Sequence, residues 1–246
     1  MKALRTLALV LFIQQAGMFQ AQEPVPVLQP SIGATRDLKP AHFALYEWYN
    51  KVMSKEIELE EADKARFDSL YHTVGETLDS PCQVIGMECS WYCGGGPDTV
   101  WASSTLDLQG AQRYAAFQAH DLDYCTAWSE GVPGPGIGES LTYLFAPHSP
   151  RIHTIVLSNG RVSDEAMWKA NNRVKRLRMS ENGQALLDLE LADTTADQSF
   201  SLPGLLGQRA DGKAMVLTFT ILGVYAGERY DDTVITEIYF DGTDVH

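Results

Sequence analysis

Three oxygen-bearing side chains lie close together in the stretch Ala119 to Glu139, AHDLDYCTAWSEGVPGPGIGE. Asp121 and Asp123 are two residues apart, and Thr126 follows them. Two nearby carboxylates and a hydroxyl in a loop suit a hard cation such as Ca2+, which takes oxygen ligands, backbone carbonyls included. The same residue types also cap turns through Asx hydrogen bonds. Spacing alone supports both readings. It excludes an EF-hand, whose periodic ligands and terminal glutamate are missing.

No catalytic motif accompanies this loop. The chain has no G-x-S-x-G elbow, H-E-x-x-H pair, Walker loop or dinucleotide glycine fingerprint. Gly134-Pro-Gly136-Ile-Gly138 is glycine-rich, but it follows no strand and opens no helix, so it reads as a tight loop. The six histidines form no ligand pair at helical spacing. The four cysteines are Cys82, Cys89, Cys93 and Cys125. Cys89-x3-Cys93 has a spacing that zinc could use, yet no nearby histidine completes a compact site. In an exported chain an even count argues for disulfides. Three connectivities are open, and Cys125 must pair with one of the first three if all are bridged.

Export is itself an expectation. Lys2 and Arg5 precede an apolar run, Leu7 to Ile13, and small or polar residues lead to Ala21. This is the three-part pattern of a signal peptide over residues 1–21, with cleavage near Ala21. The run is shorter than the roughly 20 residues a membrane-spanning helix needs. Its removal takes the formal charge from −13 to −15. So acidic a chain repels nucleic acid and anionic lipid, so neither nucleic-acid binding nor membrane insertion is expected. The one basic run, Arg173 to Arg178, is mixed with apolar residues and reads as a strand.

The remaining elements must position the loop. Residues 22–80 read as a proline-containing linker (22–35) and a helical hairpin. One helix spans about 40–55, opened by Pro40, and a second about 60–78. From about residue 81 to 246 the pattern alternates like strands, in eight segments: 100–106, 139–145, 152–157, 173–179, 184–191, 199–202, 215–222 and 234–240. Asn159-Gly160, Asn182-Gly183, Asp211-Gly212 and Asp241-Gly242 separate them. Many short strands without long intervening helices predict a mainly β domain, an antiparallel sandwich or barrel.

Several strings, in order, carry a family resemblance. They are Trp101-Ala-Ser-Ser-Thr-Leu106, Asp121-x-Asp123-x-x-Thr126-Ala-Trp128-x-Glu130-Gly131, Gly136-Ile-Gly138-Glu139 and Ser158-Asn159-Gly160. Trp168-x-x-Asn171-x-Arg173-Val174-Lys175, Val224-Tyr225-x-Gly227-x-x-Tyr230-Asp231-Asp232-Thr233 and Ile235-Thr236-Glu237-Ile238 complete the set. Together they resemble the NADase-type glycan-binding domain from about Cys82 to Phe240, about two-thirds of the chain. That family is similar to the discoidin, or galactose-binding-like, jelly-roll β-sandwiches. Its name comes from a targeting domain beside a NAD-cleaving domain in a bacterial toxin, so it implies no NAD chemistry here. It implies carbohydrate or surface binding. The family often has an aromatic after the Asn-Gly turn, where this chain has Arg161.

In related sandwiches a structural calcium joins the Asp-rich loop to a glutamate in the last strand. The resemblance therefore implies Ca2+ at Asp121 or Asp123, Thr126 and Glu237. Alternation supports this at one point: Glu237 shares a face with Ile235 and Tyr239, where a carboxylate needs a cation or an arginine. Sugar recognition needs flat aromatics and planar polar groups. The candidates are Trp168, Asn171, Arg173, Trp128 and Glu130, with Trp91 and Tyr92 beside them. The expected function is a secreted, periplasmic or cell-surface, non-catalytic module that recognises a glycan or surface ligand. The alternatives are a protein-interaction scaffold that docks a partner through the helices, and a hydrolase using loop carboxylates.

Overall fold

The structure is a computed structural model that describes residues 24–35, 38–74, 80–84, 90–110 and 112–245. The signal peptide, Cys89 and the end of the second helix lie outside these residues.

The predicted helices are present. Pro40 occupies the first turn of α1 (Pro40–Met53), and α2 (Lys64–Val74) follows a short 3₁₀ turn. The hairpin packs on itself. The Tyr49 and Phe67 rings are 5.2 Å apart, and the Arg66 guanidinium lies 4.3 Å from the centre of the Trp48 ring.

Every predicted strand is present, with shifted ends: β3 (Thr99–Ala102), β5 (Ser140–Phe145), β6 (Ile152–Asn159), β7 (Asn172–Glu181), β8 (Gln184–Glu190), β9 (Gln198–Leu206), β10 (Met215–Tyr225) and β11 (Thr233–Gly242). The short β4 (Trp128–Ser129) and the six-residue helix α3 (Glu165–Ala170) were not foreseen. Strands β9, β6, β11 and β4 form one antiparallel layer. Strands β8, β7, β10, β5 and β3 form the other. The layers join where the first residues of β11 and β7 run briefly parallel. This is the expected β-sandwich.

Residues 22–35 were expected to be a linker. Instead, β1 (Val27–Leu28) pairs with β8 and β2 (Ser31–Ile32) pairs with β9. Both partners are edge strands, and an edge offers unpaired backbone groups to any extended segment. The prolines flank these pairings rather than interrupt them, and the Pro26 carbonyl accepts from the Asp188 amide at 2.8 Å.

The core is rich in rings. Phe240 meets Phe145 and Tyr143 edge to face at 5.1 and 5.3 Å, a favoured aromatic geometry. On β10, Met215, Leu217, Phe219 and Ile221 are buried in strict alternation, the period a one-sided strand requires. Strand β11 behaves differently and is buried on both faces. Ile238 and Phe240 belong to the core. On the opposite face Glu237 meets the loop that carries Asp121, Asp123 and Thr126.

Candidate functional site

The Asp-rich loop is pinned from three sides. A 3₁₀ turn, Ala116–Ala119, enters it. The Cys82–Cys125 disulfide, with Cα atoms 5.3 Å apart, ties it to the segment before the sandwich. Backbone bonds from Val84 to Leu122 and from Tyr124 to Cys82 reinforce that tie. Cys82, Asp123 and Cys125 come close together, but both sulfurs are spent in the disulfide and offer no thiolate to a metal.

The oxygens of this loop converge on Thr126. Its Oγ1 lies 2.8 Å from both Asp121 carboxylate oxygens, 3.2 Å from the Asp123 carbonyl and 3.3 Å from the Gln118 carbonyl. A hydroxyl has one hydrogen and cannot serve four acceptors. Glu237 approaches from β11. Its Oε1 accepts from the Asp123 amide at 2.9 Å, while Oε2 is buried with no hydrogen-bond partner. Burial first, then the nearby Asp121 carboxyl, push the Glu237 carboxyl up to about 10. Burial also raises Asp121. A buried carboxyl, Glu237, and a half-buried one, Asp121, thus lie side by side, and among the described residues no ion pair neutralises either. The donor set is all oxygen, as a hard cation requires, and it fits Ca2+. Asp121, Thr126 and Glu237 would present side-chain oxygens to it. Asp123 would present its carbonyl, since its Oδ1 is engaged in an Asx turn, accepting from the Cys125 amide at 2.7 Å.

The second set of candidates has a different fate. Trp128 and Glu130 are wholly buried, so neither can touch a ligand. The Trp128 indole donates to the Ser104 carbonyl. Glu130 accepts from the Thr233 amide through Oε1 and from the Val132 amide through Oε2. Its side chain also fills the space against Gly136 (φ +64°), where a Cβ would lie 2.4 Å from Glu130 Cγ. Arg173 is buried and fully engaged. It grips Asp193 through two nitrogens and donates to the carbonyls of Asn171 and Ala226. Its guanidinium also sits 4.6 Å from the centre of the Trp168 ring. Trp168 is half-buried, and its indole N–H donates to the Asn159 carbonyl. The Asn171 amide donates to the Met167 carbonyl, closing α3. Trp91 is core, and the Tyr92 hydroxyl accepts from the Phe240 amide. These motif residues hold the loops in place.

Beside them lies a small enclosed pocket of about 80 Å³. Arg161, Asp232, Asn171, Gln109 and Ser129 supply its polar lining. Leu106, Met167, Val234 and the Tyr114 and Tyr230 rings supply the rest. Asn171 is the one sequence-selected ligand residue that lines it. Arg161 follows Gly160, whose φ of +79° and close approach to Trp168 and Arg173 leave no room for a Cβ. The Arg161 Nη2 donates to Gln112 Oε1 at 3.0 Å and to the Cys125 carbonyl at 3.4 Å. Its Nη1 is buried without a partner. Burial, then Asp231, raise the Asp232 carboxyl. Among the described residues no ion pair joins Arg161 to Asp232. Sequence reasoning marked Arg161 only as a departure from a family aromatic and passed over Asp232 inside a motif string.

A family model described as the NAD glycohydrolase translocation F5/8 type C domain matches residues 91–241. The chain belongs to this family. The match covers β3 to β11 and leaves α1 and α2 outside it. No curated protein sequence matches the chain. Among solved structures, the chain is similar to the CBM32-1 and CBM32-2 domains of Clostridium perfringens ZmpB in complex with GalNAc. That likeness has 13% identity and a TM-score of 0.43, over 60% of this chain and 33% of that one. It is also similar to CpGH89CBM32-5 from Clostridium perfringens in complex with GalNAc-β-1,3-galactose, at 15% identity and a TM-score of 0.36, over 58% of this chain and 94% of that one. A third is a Ruminococcus gnavus GH29 fucosidase mutant with fucose, at 12% identity and a TM-score of 0.39, over 76% of this chain and 31% of that one. The chain thus spans about a third of the first of these structures.

Proposed function

We propose that this F5/8 type C domain is an exported, non-catalytic module that binds a glycan in the Arg161–Asp232 pocket and carries a structural calcium beside it. One observation carries the reading. A cation and a carboxylate line the same enclosed pocket without bonding to each other. A sugar hydroxyl both accepts and donates, so vicinal hydroxyls can take a hydrogen bond from Arg161 while giving one to Asp232. The partly exposed Tyr230 ring at the pocket suits an apolar patch of the sugar. Family membership and the leader-like N-terminus support an extracellular setting. No helix among the described residues is long and apolar enough to cross a membrane.

Calcium would be held by Asp121, Thr126 and Glu237 with the carbonyls of Gln118 and Asp123. When bound, it neutralises the paired carboxylates. The chain's own residues then fix the loop: the Cys125 carbonyl, inside that loop, holds Arg161 at the pocket. A glycan array screened with the full exported chain tests the reading. Binding that is lost in Arg161→Gln, in a protein with an unaltered melt, supports it. No binding to any glycan overturns it.

A further inference from the structure

Resting on the calcium part of that reading, we infer that the Cys82–Cys125 disulfide is a redox clamp on the cation site. Closed, it holds the Asp-rich loop in its calcium-binding shape, and its reduction by a dithiol lowers the affinity for calcium. Three observations carry this. First, Cys125 stands between Asp123 and Thr126, so one end of the disulfide lies inside the proposed ligand set. Second, the other end lies outside the shared sandwich, because the family match begins at residue 91. Residues 80–84 turn at Ser80, whose Oγ accepts from the Cys82 amide at 3.1 Å. Gln83 then forms an antiparallel bridge with Asp123. The backbone bonds from Val84 to Leu122 and from Tyr124 to Cys82 are each of modest net worth, so the covalent link keeps this segment on the loop. Third, Leu122, between Asp121 and Asp123, has a φ of +60°. That left-handed conformation crowds a bulky side chain and persists only where the surroundings impose it. Here the Val84 amide, two residues from Cys82, donates to the Leu122 carbonyl at 2.9 Å.

The turn at Leu122 brings the Asp121 carboxylate and the Asp123 carbonyl together at Thr126 Oγ1. Opening the clamp is a thiol–disulfide exchange. A thiolate of the dithiol attacks the Cys125 sulfur, the less buried of the pair, and Cys82 leaves as a thiolate that takes up a proton. The second thiol of the reductant then releases Cys125. The protein gains two electrons and two protons, and the dithiol ends as a disulfide. Without the link Leu122 relaxes out of its strained conformation, and calcium binding has to restore it. Restoring one such residue lowers affinity by about tenfold.

The test is calorimetric titration of the full chain with calcium chloride, first with the disulfide closed and then opened in dithiothreitol. A variant carrying both Cys82→Ser and Cys125→Ser gives the open state without reductant. Calcium is expected to bind about tenfold more weakly to the open forms. Linkage demands the reciprocal effect, so saturating calcium makes the disulfide about tenfold harder to reduce. Dithiothreitol redox buffers read that shift, with the thiols of Cys82 and Cys125 counted by alkylation and mass mapping. This arm uses the unaltered chain and needs no variant to fold. In Leu122→Gly, which takes positive φ freely, the gap between closed and open forms should narrow. An unchanged gap there overturns the role given to Leu122. Equal or tighter calcium binding in the open forms, or a disulfide equally reducible with and without calcium, overturns the clamp and leaves the calcium reading standing. No calcium binding to the closed form overturns both.

Discussion

The Asp-rich loop and the Trp168–Arg173 segment look alike as motifs, yet the fold uses them in opposite ways. In the second segment the polar atoms are answered by the protein. Arg173 makes four hydrogen bonds, and nearby Glu130 has both carboxylate oxygens occupied. In the loop the accounts do not close: Glu237 keeps an unpartnered buried oxygen beside a second carboxyl. Buried polar groups in proteins are almost always paired. A paired motif residue is therefore scaffold, and an unpaired charged one marks where a ligand would be answered, unlike the orphaned indole N–H of Trp91 inside the ring core. By the same standard Arg161, with an orphaned Nη1, belongs with Glu237 rather than with Arg173.

The sharpest way to break this contrast is to remove the best-paired residue. Arg173→Ala should cost about 3 kcal/mol, because it leaves the Asn171 and Ala226 carbonyls unanswered and empties the space against the Trp168 ring, while the exposed Asp193 regains water. For a domain of this size that lowers Tm by about 6 to 12 °C. A thermal melt close to that of the parent would show that Arg173 is not scaffold, and its candidacy as a ligand residue would return.

The loop should respond to its cation instead. At calcium a hundredfold above Kd, binding stabilises by about 2.7 kcal/mol, so chelation should lower Tm by about 5 to 10 °C. Glu237→Gln removes one of two facing carboxyls and keeps the shape. In chelator it should melt no lower than the parent, and added calcium should leave its melt unchanged. A parent melt indifferent to calcium and chelator alike would remove the metal.

Asp188 is the counterpart of Glu237: just as buried, but paired. Burial alone would raise its carboxyl, yet the hydrogen bonds and charge of Arg178 and then Arg176 outweigh this and hold it below the usual carboxylate value. Its stabilising contribution is therefore present above the unfolded value near 3.8 and is lost as pH falls through the lower folded value. Both arginines are more than a third exposed, so Asp188→Asn should cost only about 1 to 2 kcal/mol at neutral pH. That difference should shrink progressively in melts taken at pH values falling below 3.8.

The frame of the molecule was legible because period-2 alternation and Asn-Gly turns are local signals. Asn182 and Gly183 both take positive φ at the β7–β8 hairpin, as their types announce. The β1 and β2 pairings were not legible, since two-residue strands between prolines exist only by courtesy of the β8 and β9 edges. Helix α3 was too short to show a period. In the candidate site, Asp121 and Thr126 were singled out by residue type and spacing and Glu237 by the family resemblance, and the structure brings the three together. The pocket was not found. Its lining comes from distant segments (Leu106, Arg161, Met167, Asp232), and no spacing rule links them. Tryptophan drew attention to Trp128 and Trp168 by type, but burial and an indole hydrogen bond to a carbonyl give each a structural task.

The smallest expected change in stability separates the pocket from its supports. Arg161 donates to an exposed glutamine and, at 3.4 Å, to one carbonyl. Arg161→Gln should therefore shift stability by less than about 1 kcal/mol, within the range of substitutions that break no buried network. Its effect on glycan binding should be large, because it removes the charged donor that the ligand would meet. Trp168→Ala should behave in the reverse way. It empties the space between Gly160 and Arg173, so it should lower the melt clearly and weaken binding only through the displaced loop. Titrations and melts of both variants give the two ratios. If Trp168→Ala abolished binding with its melt intact while Arg161→Gln bound normally, the site would lie on the Trp168 face. The rule that unpaired buried groups mark the ligand site would then fail in this protein.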